Sequence, residues 1–527
     1  MAFPFRIRNR LSRIAAIFGF AFVLTLHSCQ QQNKTPTQTD DPVVAKVGDR
    51  SITAKEFRNN YEVGFAHLKL GPNPKKAYLE YIINEKLLAL KGYQLNLDQS
   101  VYVRNNERRL LNELMIEALL ENEVRSKIKI TPKEIRDEIN KSKVGFKFRY
   151  WVEPTLEKAN LVAADMRERG YAEVLDDIIH SNPEIKIDPQ MYETDYLTYL
   201  EVPAEVLNAI KDLPYGDISD PLKINYKYFI FQVLDIRRSG ITENEYKDRA
   251  SSFEQIIFYS KYQQEAANYT ANLMESKNVV TKKEAFNLLA HAIKEWLETP
   301  QEERMQFSQQ VKHATNNQPA LMLLKDNSGS TFFYYNDGRL STREFLDFFN
   351  ESRFLRQLRE KNDFGDALKL EVKNAIRDYF FVQDAKRLQL QNSPKVQREL
   401  NLWRDKWVFD ETRRYLIRDL KLDEGEVKRY FLENRNQYKI NKDDEPRFAA
   451  FRSKAEKDAY RHQVNLVLEK EIESLKERYP VVINPAVLDT ITVTDFDKSN
   501  RINIQVFKGG TNRPAFPGVD PFWEPPR

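Results

Sequence analysis

The 527-residue chain holds a single cysteine, Cys29. One thiol excludes an internal disulfide framework and any zinc site built from paired cysteines. The six histidines form no His-Glu-x-x-His arrangement, and there is no Gly-x-x-x-x-Gly-Lys phosphate loop and no Gly-x-Ser-x-Gly nucleophile elbow. No metal, nucleotide or other cofactor is expected. His180 and His291, isolated in helical contexts, read as structural or exposed residues rather than ligands. An excess of one charge is lacking too. The 82 basic and 78 acidic residues leave a formal +4 that Arg6, Arg8, Arg10 and Arg13 account for. Charges of both signs are interleaved elsewhere, which gives no footprint for nucleic acid. Asp176-Asp177 and Asp443-Asp444-Glu445 read as solvated acidic faces, not as acid/base pairs. Finally, no long apolar run is present: Ile14–Leu26 falls short of the roughly 20 residues needed to cross a bilayer.

That short run is informative in its setting. It follows four arginines and ends at Leu26-His27-Ser28-Cys29, the layout of a bacterial lipoprotein export signal. Cleavage before Cys29 exposes an amino group and a thiol for acylation, and several acyl chains anchor far better than one. The expectation is a signal peptide over 1–28, lipid attachment at Cys29, and a flexible polar tether over 29–42. Gln30 is not the acidic residue that retains enteric-type lipoproteins in the inner membrane, so the outer membrane, facing the periplasm, is the expected address.

With 41% hydrophobic and 12% aromatic residues, the remainder is long enough for several cores. Val43–Val47 reads as a strand running into a turn at Gly48-Asp49, and Thr53 with Glu56 as a capping box opening a helix. The same grammar returns at Phe332–Tyr335, Asn336-Asp337-Gly338, and Ser341 with Glu344. A helix over Tyr78–Lys91, Gln94–Leu97, and a charged amphipathic helix over Val101–Lys127 is matched by Val372–Arg387, Leu388–Gln391 and Pro394–Asp419. Thr131 with Glu134 and Asp423 with Glu426 then open a further helix in each copy. These parallels predict an internal duplication. Between the copies, Phe146–Val152, Thr155–Arg169, Ala172–Ile179, Val202–Leu213 and Tyr228–Leu234 read as strand, three helices and a returning strand, a small α+β unit. Long helices are expected over Thr242–Lys277 and Lys282–Leu297, and Leu468, Ile472, Leu475 and Tyr479 mark one helical face. Lys508–Arg527 is rich in Pro and Gly and reads as a mobile tail, with Phe516, Phe522 and Trp523 as docking residues.

Val47-Gly48-Asp49 with the capped helix at Thr53, Tyr81–Leu88 (YIINEKLL), Ile130–Ile135 (ITPKEI) and Leu207–Pro221 (LNAIKDLPYGDISDP) together resemble the SurA- and PrsA-type exported foldases. In that family a helical chaperone module surrounds one or more parvulin-type prolyl isomerase domains. The resemblance covers most of Val43–Leu234 and extends to Phe332–Ile483. It implies a mostly helical α+β fold, a duplicated helical chaperone module flanking a parvulin-like domain. The implied divisions are a SurA-like module over 43–143, the parvulin-like domain over 144–240, a helical connector over 241–330, a second module over 331–440, a C-terminal helix and strand over 441–507, and a disordered tail over 508–527.

The chain departs from the family where the chemistry sits. Active parvulins carry one His in the first strand, where this chain reads Arg149-Tyr150-Trp151-Val152, and one in the last strand, where it reads Lys227-Tyr228-Phe229-Ile230. Tyr150 and Phe229 replace the imidazoles, and Tyr150, Trp151, Tyr228 and Phe229 are the candidate lining of the former isomerase cleft. The reading is an ATP-independent periplasmic chaperone for unfolded outer-membrane or secreted polypeptides, with no assigned catalytic residue. An active peptidyl-prolyl isomerase and a structural subunit of an envelope complex are the alternatives. Among 25 Tyr and 32 Phe, positions such as Tyr78, Tyr81, Phe380 and Phe381 are candidates for a client groove, with packing between helices the favoured reading for each one.

Overall fold

The computed structural model describes residues 41–181, 188–440, 445–494, 506–508 and 513–525. The signal peptide, Cys29, nearly all of the tether and Asp443-Asp444 lie outside the described residues. In chain order the first half forms β1 (Val43–Val47), β2 (Arg50–Thr53), α1 (Ala54–Val63), α2 (Pro74–Gln94), α3 (Val101–Glu123), α4 (Pro132–Lys141), β3 (Val144–Glu153), α5 (Leu156–Arg169), α6 (Tyr171–Ser181), β4 (Leu197–Thr198), α7 (Ala204–Ile210), β5 (Leu222–Ile224), β6 (Lys227–Arg238) and α8 (Glu243–Glu275). The second adds β7 (Val280–Thr281), α9 (Lys283–Glu298), α10 (Phe307–His313), α11 (Pro319–Asp326), β8 (Thr331–Tyr335), β9 (Gly338–Ser341), α12 (Thr342–Phe345), α13 (Glu351–Lys361), α14 (Phe364–Arg387), α15 (Pro394–Leu416), α16 (Glu424–Glu433), α17 (Phe448–Arg478), β10 (Val481–Ile483) and α18 (Pro485–Thr490). The fold is mostly helical α+β with small antiparallel sheets, and none of the described helices is long and apolar enough to cross a membrane.

The chain divides into two units, Arg125–Ala267 and Gln38–Val124 with Asn268–Arg527. The larger unit contains the duplication, visible down to single dihedral angles. Asn96 after α2 and Gln389 after α14 both adopt the left-handed conformation, with φ 56° at each. Ser100 and Ser393 then cap α3 and α15 in the same way, accepting from the N–H of Val103 and Val396, and both valines are buried. The capping boxes at Ser341, Thr131 and Asp423 are complete. At Thr53 only half forms: the side chain accepts from Glu56 N–H, but the Glu56 carboxylate turns instead to Lys86, 3.2 Å away.

The copies do not fold side by side. α2 of the first packs on α15 of the second, and α14 of the second on α3 of the first. The sheets follow the same exchange. β10, from the far end of the chain, pairs with β1 through Ala45↔Ile483 and Val47↔Val481, while β7 pairs with β8 through Val280↔Tyr334. Each copy's closing strand thus completes the other copy's sheet, as in a swapped dimer joined into one chain. Gly92 permits the close approach of α2 to α15: a Cβ there would collide with Thr412 and Val408 and lie 3.2 Å from the Val408 carbonyl oxygen. The latter part of the region read as a connector supplies β7, and the C-terminal helix and strand supply β10, so these strands complete the sheets of the larger unit.

Tyr78, Tyr81, Phe380 and Phe381 are buried among helices, the reading favoured for each of them. One expectation is overturned by packing. The C-terminal segment expected to be mobile is docked over its described part, with Val519 and Trp523 in the main core of the larger unit. Proline content removes helix and strand bonding but does not prevent an extended segment from lying in a preformed cleft.

The smaller unit brings α4 against α8. Lys261 bonds the Glu134 carboxylate at 2.5 Å and the Lys129 carbonyl at 2.7 Å, and Arg136 lies over the Tyr246 ring. The Lys261 bond first, and then those from the N–H and hydroxyl of Thr131, lower the Glu134 pKa from 4.5 to about 2. A depressed carboxylate stabilises above its unfolded pKa, and that stabilisation is lost as pH falls through the folded value. The contact between the helices is therefore expected to weaken between pH 4.5 and about 2. An NMR titration of Glu134 checks this: Lys261→Met should return its midpoint toward 4.5, and an unchanged midpoint contradicts the assignment.

Candidate functional site

The expected isomerase-like site falls on the four-stranded sheet of the smaller unit, in the order β4-β3-β6-β5. β3 and β6 pair along their length, setting Tyr150 opposite Phe231, Trp151 opposite Ile230, Val152 opposite Phe229 and Glu153 opposite Tyr228. Successive side chains in a strand point to opposite faces. Tyr150 and Phe229 accordingly share the face covered by α7, with Phe148, Phe231, Val206 and Ile210. Trp151 and Tyr228 join Ala159, Met166 and Tyr171 on the face covered by α5 and α6. The four residues expected to line one cleft therefore divide between two cores. The alternation was available in the sequence, since Tyr150 and Trp151 are consecutive.

On the α7 face Tyr150 and Phe229 lie in a cluster of rings in contact. The Tyr150 and Phe229 centroids are 6.1 Å apart, Tyr150 and Tyr192 5.7 Å, and Phe229 and Phe231 6.2 Å. Tyr150 is only 7% exposed and donates its hydroxyl to the Met191 carbonyl at 3.3 Å. Burial pushes its pKa up to about 12, which keeps the hydroxyl a neutral donor at physiological pH. Phe229 offers no polar group. On the other face, Arg149 stacks over Tyr171 at 4.1 Å and donates to Gln232 at 2.6 Å, while Tyr171 donates to the Tyr150 carbonyl. These polar groups are engaged with one another and with the backbone, which ties the sheet to α6. His180 bonds its own helix through the Asp176 carbonyl, and His291 is solvent-exposed.

A second constellation, in the larger unit, was missed from sequence. α2, α15 and α17 together cradle the segment Asp520–Glu524, and much of the grip is on its main chain. Glu85 accepts from the N–H of Asp520 at 2.7 Å and from the Trp523 indole at 3.2 Å. Asn465, itself 3% exposed, donates to the Phe522 carbonyl at 3.0 Å and accepts from the Glu524 N–H at 3.2 Å. Tyr81 donates to the Glu524 carbonyl at 2.8 Å, and His67 lies 3.2 Å from the Pro521 carbonyl. Trp523, 4% exposed, lies between Tyr81 and Phe409, and Arg413 pairs with Asp520 at 2.6 Å. Beneath the segment, Pro517 and Val519 roof a small cavity with Glu56, Lys86, Asp405 and Lys406 among its walls. Burial pulls the Lys86 ammonium down, but Glu56 and Asp405 outweigh it and hold the group above the ordinary lysine value. The hint in the sequence was the set of aromatic residues Phe516, Phe522 and Trp523 inside a proline-rich stretch, while the residues that receive them come from distant positions.

No protein-family model matches the chain, and neither does any curated protein. Similar solved structures include SurA-like chaperones and PrsA foldases. A structure from work on two SurA-like chaperones of Campylobacter jejuni is 19% identical and spans 46% of this chain and 100% of its own, with a TM-score of 0.22. The foldase PrsA of Streptococcus pneumoniae is 15% identical over 41% of this chain and 85% of its own, with a TM-score of 0.21. The peptidylprolyl isomerase PrsA of Bacillus cereus is 14% identical over 46% of this chain and 96% of its own, also at 0.21.

Proposed function

We propose that this protein is an exported, lipid-anchored, nucleotide-independent chaperone that holds unfolded outer-membrane or secreted polypeptides, and that its parvulin-like domain does not catalyse isomerisation. Rotation about an X–Pro bond faces a barrier of roughly 18–20 kcal/mol. Lowering it requires polar groups preorganised around the twisted amide. The observation that carries the reading is the Tyr150–Phe229 pair, ring against ring at 6.1 Å, where the resembled isomerases place imidazoles. Such a sheet keeps the scaffold without the polar field for catalysis. Export and the anchor at Cys29 rest on the signal-like start of the sequence.

Two assays test this. In the first, the protein is expected to suppress aggregation of an unfolded β-barrel polypeptide at near-stoichiometric ratio without ATP; an unchanged aggregation rate rejects the chaperone. In the second, protease-coupled isomerisation of a short proline peptide is expected to proceed at the uncatalysed rate. A clear acceleration that is lost in Tyr150→Phe would establish the isomerase instead.

A further inference from the structure

We infer that the cradle formed by α2, α15 and α17 is a binding site for extended segments of unfolded polypeptide, and that Asp520–Glu524 occupies it in cis until a client segment displaces it. The inference rests on the chaperone reading above and names the site that reading requires.

The hydrogen-bonding pattern is the first argument. Asn465 donates to one main-chain group of residues 520–524 and accepts from another, Tyr81 donates to a carbonyl, His67 lies beside one, and Glu85 accepts from an N–H. Any polypeptide carries these groups, so this part of the grip does not depend on the sequence held. A buried polar side chain is costly without a partner. Asn465 sits among Val464, Leu468 and Ile472 on the buried face of α17, and its amide oxygen is satisfied by Glu524 of the seated segment.

The side-chain contacts define the occupant's chemistry. A slot between Tyr81 and Phe409 takes a large aromatic, here Trp523. Arg413 pairs with an acidic residue, here Asp520, and together with Arg461 also faces the Phe522 ring, at 5.4 and 5.7 Å. Pro517, Pro521 and Pro525 flank these anchors, and proline keeps a segment extended at little further entropy cost. The ligand class is therefore an extended, helix-incompetent segment with an aromatic residue and a nearby acid. Strands of outer-membrane barrels carry aromatic girdles at both interfaces, and an unfolded barrel polypeptide supplies such segments repeatedly. The resident segment is held at high effective concentration by Arg513, which pairs with Glu113 and Glu399, and by Lys508 on Glu117 and Glu399. A client must outcompete it, which makes holding selective for chains that present several segments at once.

Hydrogen exchange on the full-length chain tests this. Without client, the amides of Asp520 and Glu524 should be protected. At saturating unfolded β-barrel polypeptide their exchange should rise at least tenfold, while amides in the middle of α5 stay unchanged. In parallel, a chain ending at Pro514 should bind a labelled peptide of residues 515–527, and the same peptide with Trp523→Ala should bind at least tenfold more weakly. The intact chain should bind neither. If the shortened chain fails to fold, full-length Asn465→Ala replaces it and should raise tail exchange even without client. Client bound while the tail amides remain protected overturns the inference and leaves the chaperone intact. A protein that binds no client in any form overturns both.

Discussion

Arg353→Ala is expected to destabilise the larger unit by about 3–5 kcal/mol, the cost of leaving a buried carboxylate without its cation. Glu371 on α14 is 0% exposed and takes a two-pronged bond from Arg353, 2.7 Å from Nε and 2.8 Å from Nη2, together with the N–H of Asn350 at 2.9 Å. The remaining guanidinium nitrogen reaches Asp378 at 2.8 Å. Burial opposes the charge on Arg353, but the two carboxylates outweigh it and raise its pKa. Urea unfolding measures the effect as a lower midpoint at unchanged slope. Arg353→Met with Glu371→Leu removes both charges and should recover most of the loss, because a well-packed apolar pair can replace a buried ion pair. A single-variant loss below about 1 kcal/mol, the worth of an exposed pair, would show that the cluster is solvated.

Lys86→Ala is the second large effect, again about 3–5 kcal/mol. Its ammonium lies 3.2 Å from Glu56 and 3.4 Å from Asp405, and all three groups are largely shielded from water. Tyr93 and Arg50 also approach Asp405, at 2.9 and 3.7 Å, so removal of Lys86 leaves Glu56 worst off. Asp405 lies on α15, in the second copy, whereas Lys86 and Glu56 belong to the first. A double-mutant cycle between Lys86→Ala and Asp405→Ala therefore reports on the exchange of helices between copies. Coupling of 0.5–3 kcal/mol is the usual range for residues in contact. Additive losses would place the two helices apart.

Local signals served best where a backbone requirement is met within a few residues. The boxes at Thr131, Ser341 and Asp423 formed as expected, because cap and carboxylate are three positions apart; even at Glu134, where Lys261 takes one carboxylate oxygen, the other still closes the box. Thr53 formed half a box because Lys86, thirty residues on and buried, drew the Glu56 carboxylate away. The helix over Tyr78–Lys91 was legible in position but not in role. Tyr81 packs in the core, as favoured for it, but the bond from its hydroxyl to the tail had no signal nearby in the sequence. At the isomerase-like sheet, the motif comparison located Tyr150 and Phe229, and the period of a strand, applied strictly, separates them from Trp151 and Tyr228. The cradle was not legible, since Glu85, Asn465 and Trp523 share neither a motif nor a neighbourhood in the chain.

By itself, the sequence determined the repeated helix starts and the presence of Tyr150 and Phe229 on the two paired strands, since each depends on residue type at short range. Only the tertiary structure decided which copy completes which sheet and where the proline-rich tail comes to rest. β1 accepts any apolar strand of matching register, and a cleft accepts any extended segment that satisfies its buried polar groups. Such choices are settled by the sum of contacts across the whole body, which no local stretch of residues encodes.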